Sequence, residues 1–150
     1  MSAISFWKDK DRKKVNEKLF SEIAEEKAKM IRKEGLESRD KNKISQIRKF
    51  YDEVLHWHKI VQKDRDKFEN YLPYIKLLRA KVYYARGRNL ITESFKDLME
   101  NCLDEIKTYE DFEVFKTFFE AFMGFYRYYD EFRENRGKAG QKNESTQKQH

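Results

Sequence analysis

An all-α fold, a compact or elongated bundle of about five helices, is what this chain of 150 residues predicts. Three observations lead there. One proline and five glycines leave strand-and-turn architectures little punctuation. Apolar residues recur at three- and four-residue steps along most of the sequence, the period of a helix with one buried side. Twelve Phe, nine Tyr and two Trp supply a core large enough for one domain despite a charged fraction of 40%, and they exclude a disordered chain.

The first helix is predicted from Asp11 to Glu34, with Val15, Leu19, Ile23 and Ile31 as a narrow apolar stripe and Gly35 as its stop. So thin a stripe leaves open whether this helix packs on its own chain or on a partner. Leu36 to Asn42 reads as a linker. The second helix, Lys43 to Asp64, aligns Ile47, Tyr51, Val54, His58 and Val61. A turn around Asp66–Asn70 precedes a helix that restarts at Pro73, a residue suited to a first helical turn. Ile75, Leu78, Val82 and Ala85 form its buried stripe, and Gly87 suits its end. A fourth helix starts near Thr92 and buries Phe95, Leu98, Met99, Cys102, Leu103 and Ile106. The last runs from Tyr109 to about Asn135, with Thr108 and Asp111 at the spacing of an N-terminal cap. Eleven of the 24 residues from Tyr109 to Phe132 are aromatic. A girdle that wide needs cover on more than one side, so this helix is either the central post of the bundle or also meets another chain. The expected organisation is one all-α domain over 1–136, with a charged helix and linker at 1–42 and a core at 43–136. A disordered polar tail is expected at 137–150.

Charge is unevenly spread. The net charge is +6, yet residues 39–90 carry 14 Lys/Arg against 6 Asp/Glu, and residues 91–136 carry 6 against 12. From Tyr71 to Leu90 there is no acidic residue, while Lys76, Arg79, Lys81, Arg86 and Arg88 alternate with Tyr71, Tyr74, Tyr83 and Tyr84. Cations bind phosphate, and tyrosine rings can stack on unpaired bases, so a polyanion is the first ligand to consider. A merely solvated helix face is the competing explanation. Placed on a helix, Lys76, Arg79, Tyr83 and Arg86 fall within about 80° of arc beside the buried stripe. On the second helix Arg48, Lys49, His56, Lys59 and Lys63 lie opposite Ile47 and Val54, and the two cationic faces would form one groove wall if these helices pack side by side.

Other chemistries find little support. His56 and His58 point about 200° apart on a helix and cannot clamp one ion, so no metal is expected. The single cysteine, Cys102, lies among apolar residues and reads as an inert packed thiol, which also fits a reducing cytoplasm. No glycine-framed serine, Cys–His pair or glycine-rich phosphate loop is present. The carboxylates lie mostly on solvated faces. Neither an enzyme nor a cofactor is expected. No apolar run approaches the roughly 20 residues needed to cross a bilayer, so no membrane partner is expected either.

The run Ser45-Gln46-Ile47-Arg48-Lys49-Phe50-Tyr51 resembles the signature of the small subunit of type III-A CRISPR effector complexes, the Csm complexes. A second block resembling that family runs from Leu72-Pro73 through Lys81-Val82-Tyr83-Tyr84-Ala85-Arg86-Gly87-Arg88. A third is Phe115-Lys116-Thr117-Phe118-Phe119-Glu120-Ala121, continuing to Tyr128-Tyr129. The resemblance covers about Lys43 to Tyr129. It implies a non-catalytic all-α subunit, present in several stacked copies, that lies along CRISPR RNA and target RNA and contacts their backbone without reading bases. Its expected partners are the two RNAs, other Csm subunits and further copies of itself, with exchange of helices between chains left open. Lys43, Arg48, Lys49, Arg79, Lys81, Arg86 and Arg88 are the residues expected to contact phosphate. Internal salt bridges from Arg48 and Lys81 to the acidic C-terminal half are a rival, and a protein-only scaffold whose basic face pairs with acidic protein surfaces is the alternative function. With a duplex as ligand, the tyrosines are expected to pack and not to stack on bases.

Overall fold

The computed structural model describes residues 4–11 and 13–148, with side chains as far as Glu131. The described residues form an all-α bundle with one small two-stranded ribbon. In chain order the elements are β1 (Trp7–Asp9), β2 (Lys14–Val15), a π-helical turn at Leu19–Ile23, α1 (Ala24–Glu37) and α2 (Ile44–Gln62). A 3-10 turn at Arg65–Lys67 leads into α3 (Phe68–Lys76), followed by α4 (Leu78–Gly87), α5 (Glu93–Asp104) and α6 (Tyr109–Lys148). Phe132 and the tail 137–150, expected to be disordered, lie outside the residues whose side chains are described.

The beginning differs from the expected helix. β1 and β2 pair antiparallel, Trp7 opposite Val15, and Lys13 closes the turn at φ 55°. Asn16 ends the ribbon: its backbone N–H donates to Phe6 O at 3.0 Å, and its side-chain oxygen accepts the Lys18 N–H at 3.1 Å. Ile4 and Phe6 are then buried against the bundle, a gain that a helix from Asp11 would have forgone. Val15 therefore belongs to the ribbon. The buried side of α1 is Ala24, Ala28, Ile31, Arg32 and Gly35, whose mostly small residues allow close approach to α6. The first helix docks on its own chain.

Gly35 is not the stop expected of it. It lies inside α1, and a Cβ there would sit 2.1 Å from the Lys41 carbonyl oxygen, so the chain folds back directly over it. The predicted linker is a packed knot. Arg39, Asp40 and Asn42 all take left-handed backbone conformations, and Asn42 is fully buried. Its side chain donates to Ile31 O (3.0 Å) and Thr92 Oγ1 (2.8 Å) and accepts the Thr92 N–H (2.8 Å). Its carbonyl accepts Arg32 Nη1 at 2.7 Å and the Tyr126 hydroxyl. The buried Arg32 guanidinium also meets Asp40 and, through Nε, Asp130 at 3.4 Å. One asparagine thereby ties α1, α6 and the start of α5 together, with its own polar atoms satisfied.

The remaining helices follow the predicted stripes. Ile47, Val54 and Val61 of α2, Ile75 of α3, Leu78, Val82 and Ala85 of α4, and the six apolar residues read for the fourth helix are all buried. Pro73 sits inside α3 instead of opening it, and Leu77 alone separates α3 from α4; its helical backbone dihedrals (φ −59°, ψ −23°) let the two run on as one rod. The turn after α4 is made by Asn89, at φ 61°, and not by Gly87. At α6 the expected cap is present: the Asp111 N–H donates to Thr108 Oγ1 at 3.2 Å, and Asp111 Oδ2 accepts the N–H groups of Thr108 and Lys107, both at 3.0 Å. The Trp7 indole donates to the other oxygen at 2.8 Å, which pins the ribbon to the helix start. Phe112, Phe115, Phe118, Phe119, Phe122 and Tyr126 are buried beneath α1, α2 and α5, making α6 the central post.

Candidate nucleic-acid interface

The cations of α4 divide between two faces, one on each side of the buried stripe. Because α4 and α5 form an antiparallel hairpin, residues equally distant from its loop meet. Arg79 donates to Glu100 through Nη2 (2.7 Å) and Nε (3.1 Å), and Arg86 Nε reaches Glu93 at 3.0 Å. Between them, Lys96 Nζ lies 5.0 Å over the Tyr83 ring, and the Tyr83 hydroxyl donates to Glu100. Arg79 packs on the other contact of that ring at 4.7 Å. Lys96 also binds Glu93 at 2.8 Å and Asp97 at 3.2 Å. Hydrogen bonds from Arg79 and Tyr83 hold the Glu100 carboxyl below its ordinary pKa, and those from Lys96 and Arg86 do the same for Glu93. Lys76 belongs to neither open face: its half-buried ammonium donates to Leu103 O at the end of α5, and burial pulls its pKa down.

The second face looks toward α2. Tyr74, Leu77, Lys81, Tyr84 and Arg88 follow one another at three- and four-residue steps, and all five are exposed. Lys81 pairs with Glu53 of α2, so the rival expectation of an internal bridge is met by α2 and not by the acidic C-terminal half. Arg88 donates to the Tyr84 hydroxyl at 3.1 Å. Tyr74 stacks on Trp57 of α2, with ring centroids 5.8 Å apart and 22° between planes. α2 and the α3–α4 rod therefore do lie side by side. Tyr71 behaves as expected of a packing residue, half-buried with its hydroxyl on Asp64 at 3.2 Å. Tyr83 packs against Arg79 and Lys96, whereas Tyr74 and Tyr84 depart from the expectation, because each stands more than half exposed.

At the other end of α2, Lys43, Arg48 and Lys49 are exposed, and no carboxylate among the described residues pairs with them. Lys43 precedes the helix, in the position of an N-cap but without a side-chain hydrogen bond, and it lines a surface pocket with Ile44, Ser45, Leu36, Arg32, Asp40 and Asp130. His56, Lys59 and Lys63 continue this exposed side of α2. The seven residues expected to touch phosphate thus separate into three groups. Lys43, Arg48 and Lys49 are open. Lys81 and Arg88 share the tyrosine face. Arg79 and Arg86 are engaged by α5.

The other candidate chemistries can be placed as well. No cluster of three or more His, Cys, Asp or Glu among the described residues could hold a metal ion. His58 is half-buried against Phe112, and burial together with Lys116 keeps its pKa below the ordinary value. Cys102 is fully buried, which pushes its thiol pKa well up. No helix among the described residues is long and apolar enough to cross a membrane. Leu77 was missed as a surface residue, and Tyr74 and Tyr84 were expected to pack, although the stripe at 74, 77, 81, 84 and 88 is visible as a spacing once the buried stripe is set aside.

Fold and surface together define an all-α module with one open basic helix face and a second face on which lysine and arginine alternate with tyrosine. The sequence profile of the family described as Csm2 Type III-A matches residues 13–131, a span that takes in the first helix as well as the three blocks noted above. The chain belongs to this family, which makes it a small subunit of the type III-A CRISPR Csm complex. No curated protein and no solved structure matches the chain at a significant level.

Proposed function

We propose that this chain is a non-catalytic subunit that binds the backbone of guide and target RNA without regard to sequence and supports filament assembly in antiviral defence. The observation that carries the reading is the open row Lys43, Arg48 and Lys49 at the start of α2. Three exposed cations without carboxylate partners among the described residues are available to phosphate, a contact that carries no base sequence. Arg88 extends the basic surface along α4, and Lys81 does so once it releases Glu53. Arg79 and Arg86 must first release Glu100 and Glu93, so they are expected to contribute less.

Backbone binding makes a quantitative demand. For single strands the log–log dependence of affinity on salt has a slope of about 0.7 per phosphate neutralised. The double substitution Arg48→Ala/Lys49→Ala should lower that slope by about 1.4, equally for RNAs of different sequence. Arg79→Ala/Arg86→Ala should change it less. An unchanged slope in the Arg48/Lys49 variant would remove α2 from the interface.

The pairs Arg79–Glu100 and Arg86–Glu93 favour a second reading, a protein-only scaffold, because they show this basic surface binding carboxylates. Crosslinking of RNA to this chain inside the assembled complex separates the two. Stacking of copies follows from the first reading: the basic surface of residues 39–90 can meet the acidic half of a neighbour. Light scattering that shows only monomer at high concentration would count against self-association.

A further inference from the structure

Of the stripe Tyr74, Leu77, Lys81, Tyr84 and Arg88, backbone binding uses the two cations and leaves Tyr74, Leu77 and Tyr84 without a role. Tyr74 is 57% exposed, Leu77 51% and Tyr84 65%, unusual for large apolar or aromatic side chains on one helix face. Each ring is also held. Tyr74 is backed by the Trp57 indole, and Tyr84 lies beside the Arg88 guanidinium, 5.7 Å from its ring centre. A side chain fixed in this way loses little conformational freedom when a ligand covers it.

We propose that this stripe is a stacking platform for unpaired bases of single-stranded RNA, a site that rests on the RNA-binding reading and adds a second kind of contact to it. Charge decides for a polyanion over a protein helix. No acidic residue occurs between Tyr71 and Leu90, and the carboxylate nearest the stripe, Glu53, is already paired with Lys81. Arg88 stands next to Tyr84 with no carboxylate partner among the described residues, where a phosphate can pass while a base covers the ring. Access then decides for unpaired bases. Tyr74 and Tyr84 are ten residues apart, about 15 Å along the rod. Bases inside a duplex are covered on both faces by their neighbours, whereas unpaired bases can be splayed out onto rings that far apart. Every base has a π-face, so the platform would keep the sequence tolerance that backbone binding requires.

The test uses the purified full chain and fluorescence anisotropy with three probes: a fluorescein-labelled single-stranded oligoadenylate, the same strand with abasic sites, and an RNA duplex. The double substitution Tyr74→Ala/Tyr84→Ala should weaken oligoadenylate binding about thirtyfold or more, the lower range for losing two stacking contacts. It should leave abasic and duplex affinities and the salt slope unchanged. Tyr74→Phe/Tyr84→Phe should bind like wild type, since the rings remain. Circular dichroism identical to wild type is expected, as both residues are surface-exposed. Wild-type oligoadenylate binding by the alanine variant, or equal weakening for abasic and normal strands, would overturn the platform and leave backbone binding standing. Failure of the wild-type chain to bind any of the three probes would instead overturn the RNA-binding reading and the platform with it. If the alanine variant kept its RNA affinity but lost association with another Csm subunit, the stripe would be a protein interface and the proposal wrong.

Discussion

Replacing Asn42 by alanine should be among the most damaging single changes in the molecule. The residue is fully buried, and its side chain makes three hydrogen bonds, two to Thr92 and one to the Ile31 carbonyl. Alanine would leave the Thr92 N–H without its acceptor in the interior, at about 1–3 kcal/mol, whereas the Ile31 carbonyl lies inside α1 and keeps its helical role. The backbone at position 42 has φ 60°, which asparagine tolerates and alanine does not, for about 1–2 kcal/mol more. The expected loss is about 2–5 kcal/mol, a large share of the 5–15 kcal/mol that stabilises an ordinary domain. Urea unfolding followed by helical circular dichroism measures it directly. Asn42→Gly relieves the backbone strain but not the lost hydrogen bonds, so it should fall between Asn42→Ala and wild type. An alanine variant within about 1 kcal/mol of wild type would refute the argument that this side chain joins α1 to the start of α5.

Three further outcomes are expected. Gly35→Ala should cost roughly 2 kcal/mol or more in urea unfolding, because its Cβ would lie 2.1 Å from the Lys41 carbonyl and backbone must move to admit it. Burial alone would raise the Asp111 pKa, but the N–H groups of Lys107 and Thr108 and the Trp7 indole outweigh it and hold the carboxyl below its ordinary value. Its contribution to stability is therefore present above about pH 4 and lost as pH falls through the folded value. Asp111→Asn should flatten the acid side of the stability profile, and Trp7→Phe should flatten it in part. His58 is also held below its ordinary value: burial and Lys116 disfavour its proton, against the opposing pull of Glu113 and Glu120. The unfolded chain takes up that proton first, so stability should decline as pH falls below about 6.5. His58→Phe should remove that decline, and a slope between pH 7 and 5 that survives it would assign the effect to other groups.

The helices were legible in the sequence because each carries one dominant apolar stripe, and stripes such as Ile75, Leu78, Val82 and Ala85 depend only on local period. The N-terminal ribbon was not. Val15 and Leu19 are four apart and mimic a helical step, but the burial of Ile4 and Phe6 against the bundle rewards a reversal at Lys13 that no local pattern displays. Gly35 and Asn42 looked like a stop and a linker residue, since the reason for each lies in a contact distant in sequence: the Lys41 carbonyl for one, Thr92 for the other.

The cationic helix shows the same limit more sharply. Sequence period places Arg79, Tyr83 and Arg86 on one side of the buried stripe and Tyr74, Lys81, Tyr84 and Arg88 on the other, but it cannot say which side the next helix will close. That choice is made by α5, and its signature was present as a matching interval. Arg79 and Arg86 are seven residues apart, as are Glu93 and Glu100, and folding the chain back at Asn89 brings each arginine to one glutamate. Once those pairs form, the nearest cations with carboxylates already bound are the wrong ones to assign to phosphate, and the surface left to a ligand is the one that carries Tyr74 and Tyr84. Burial patterns thus locate a helix face, while charge complementarity between neighbouring helices decides whether that face stays open.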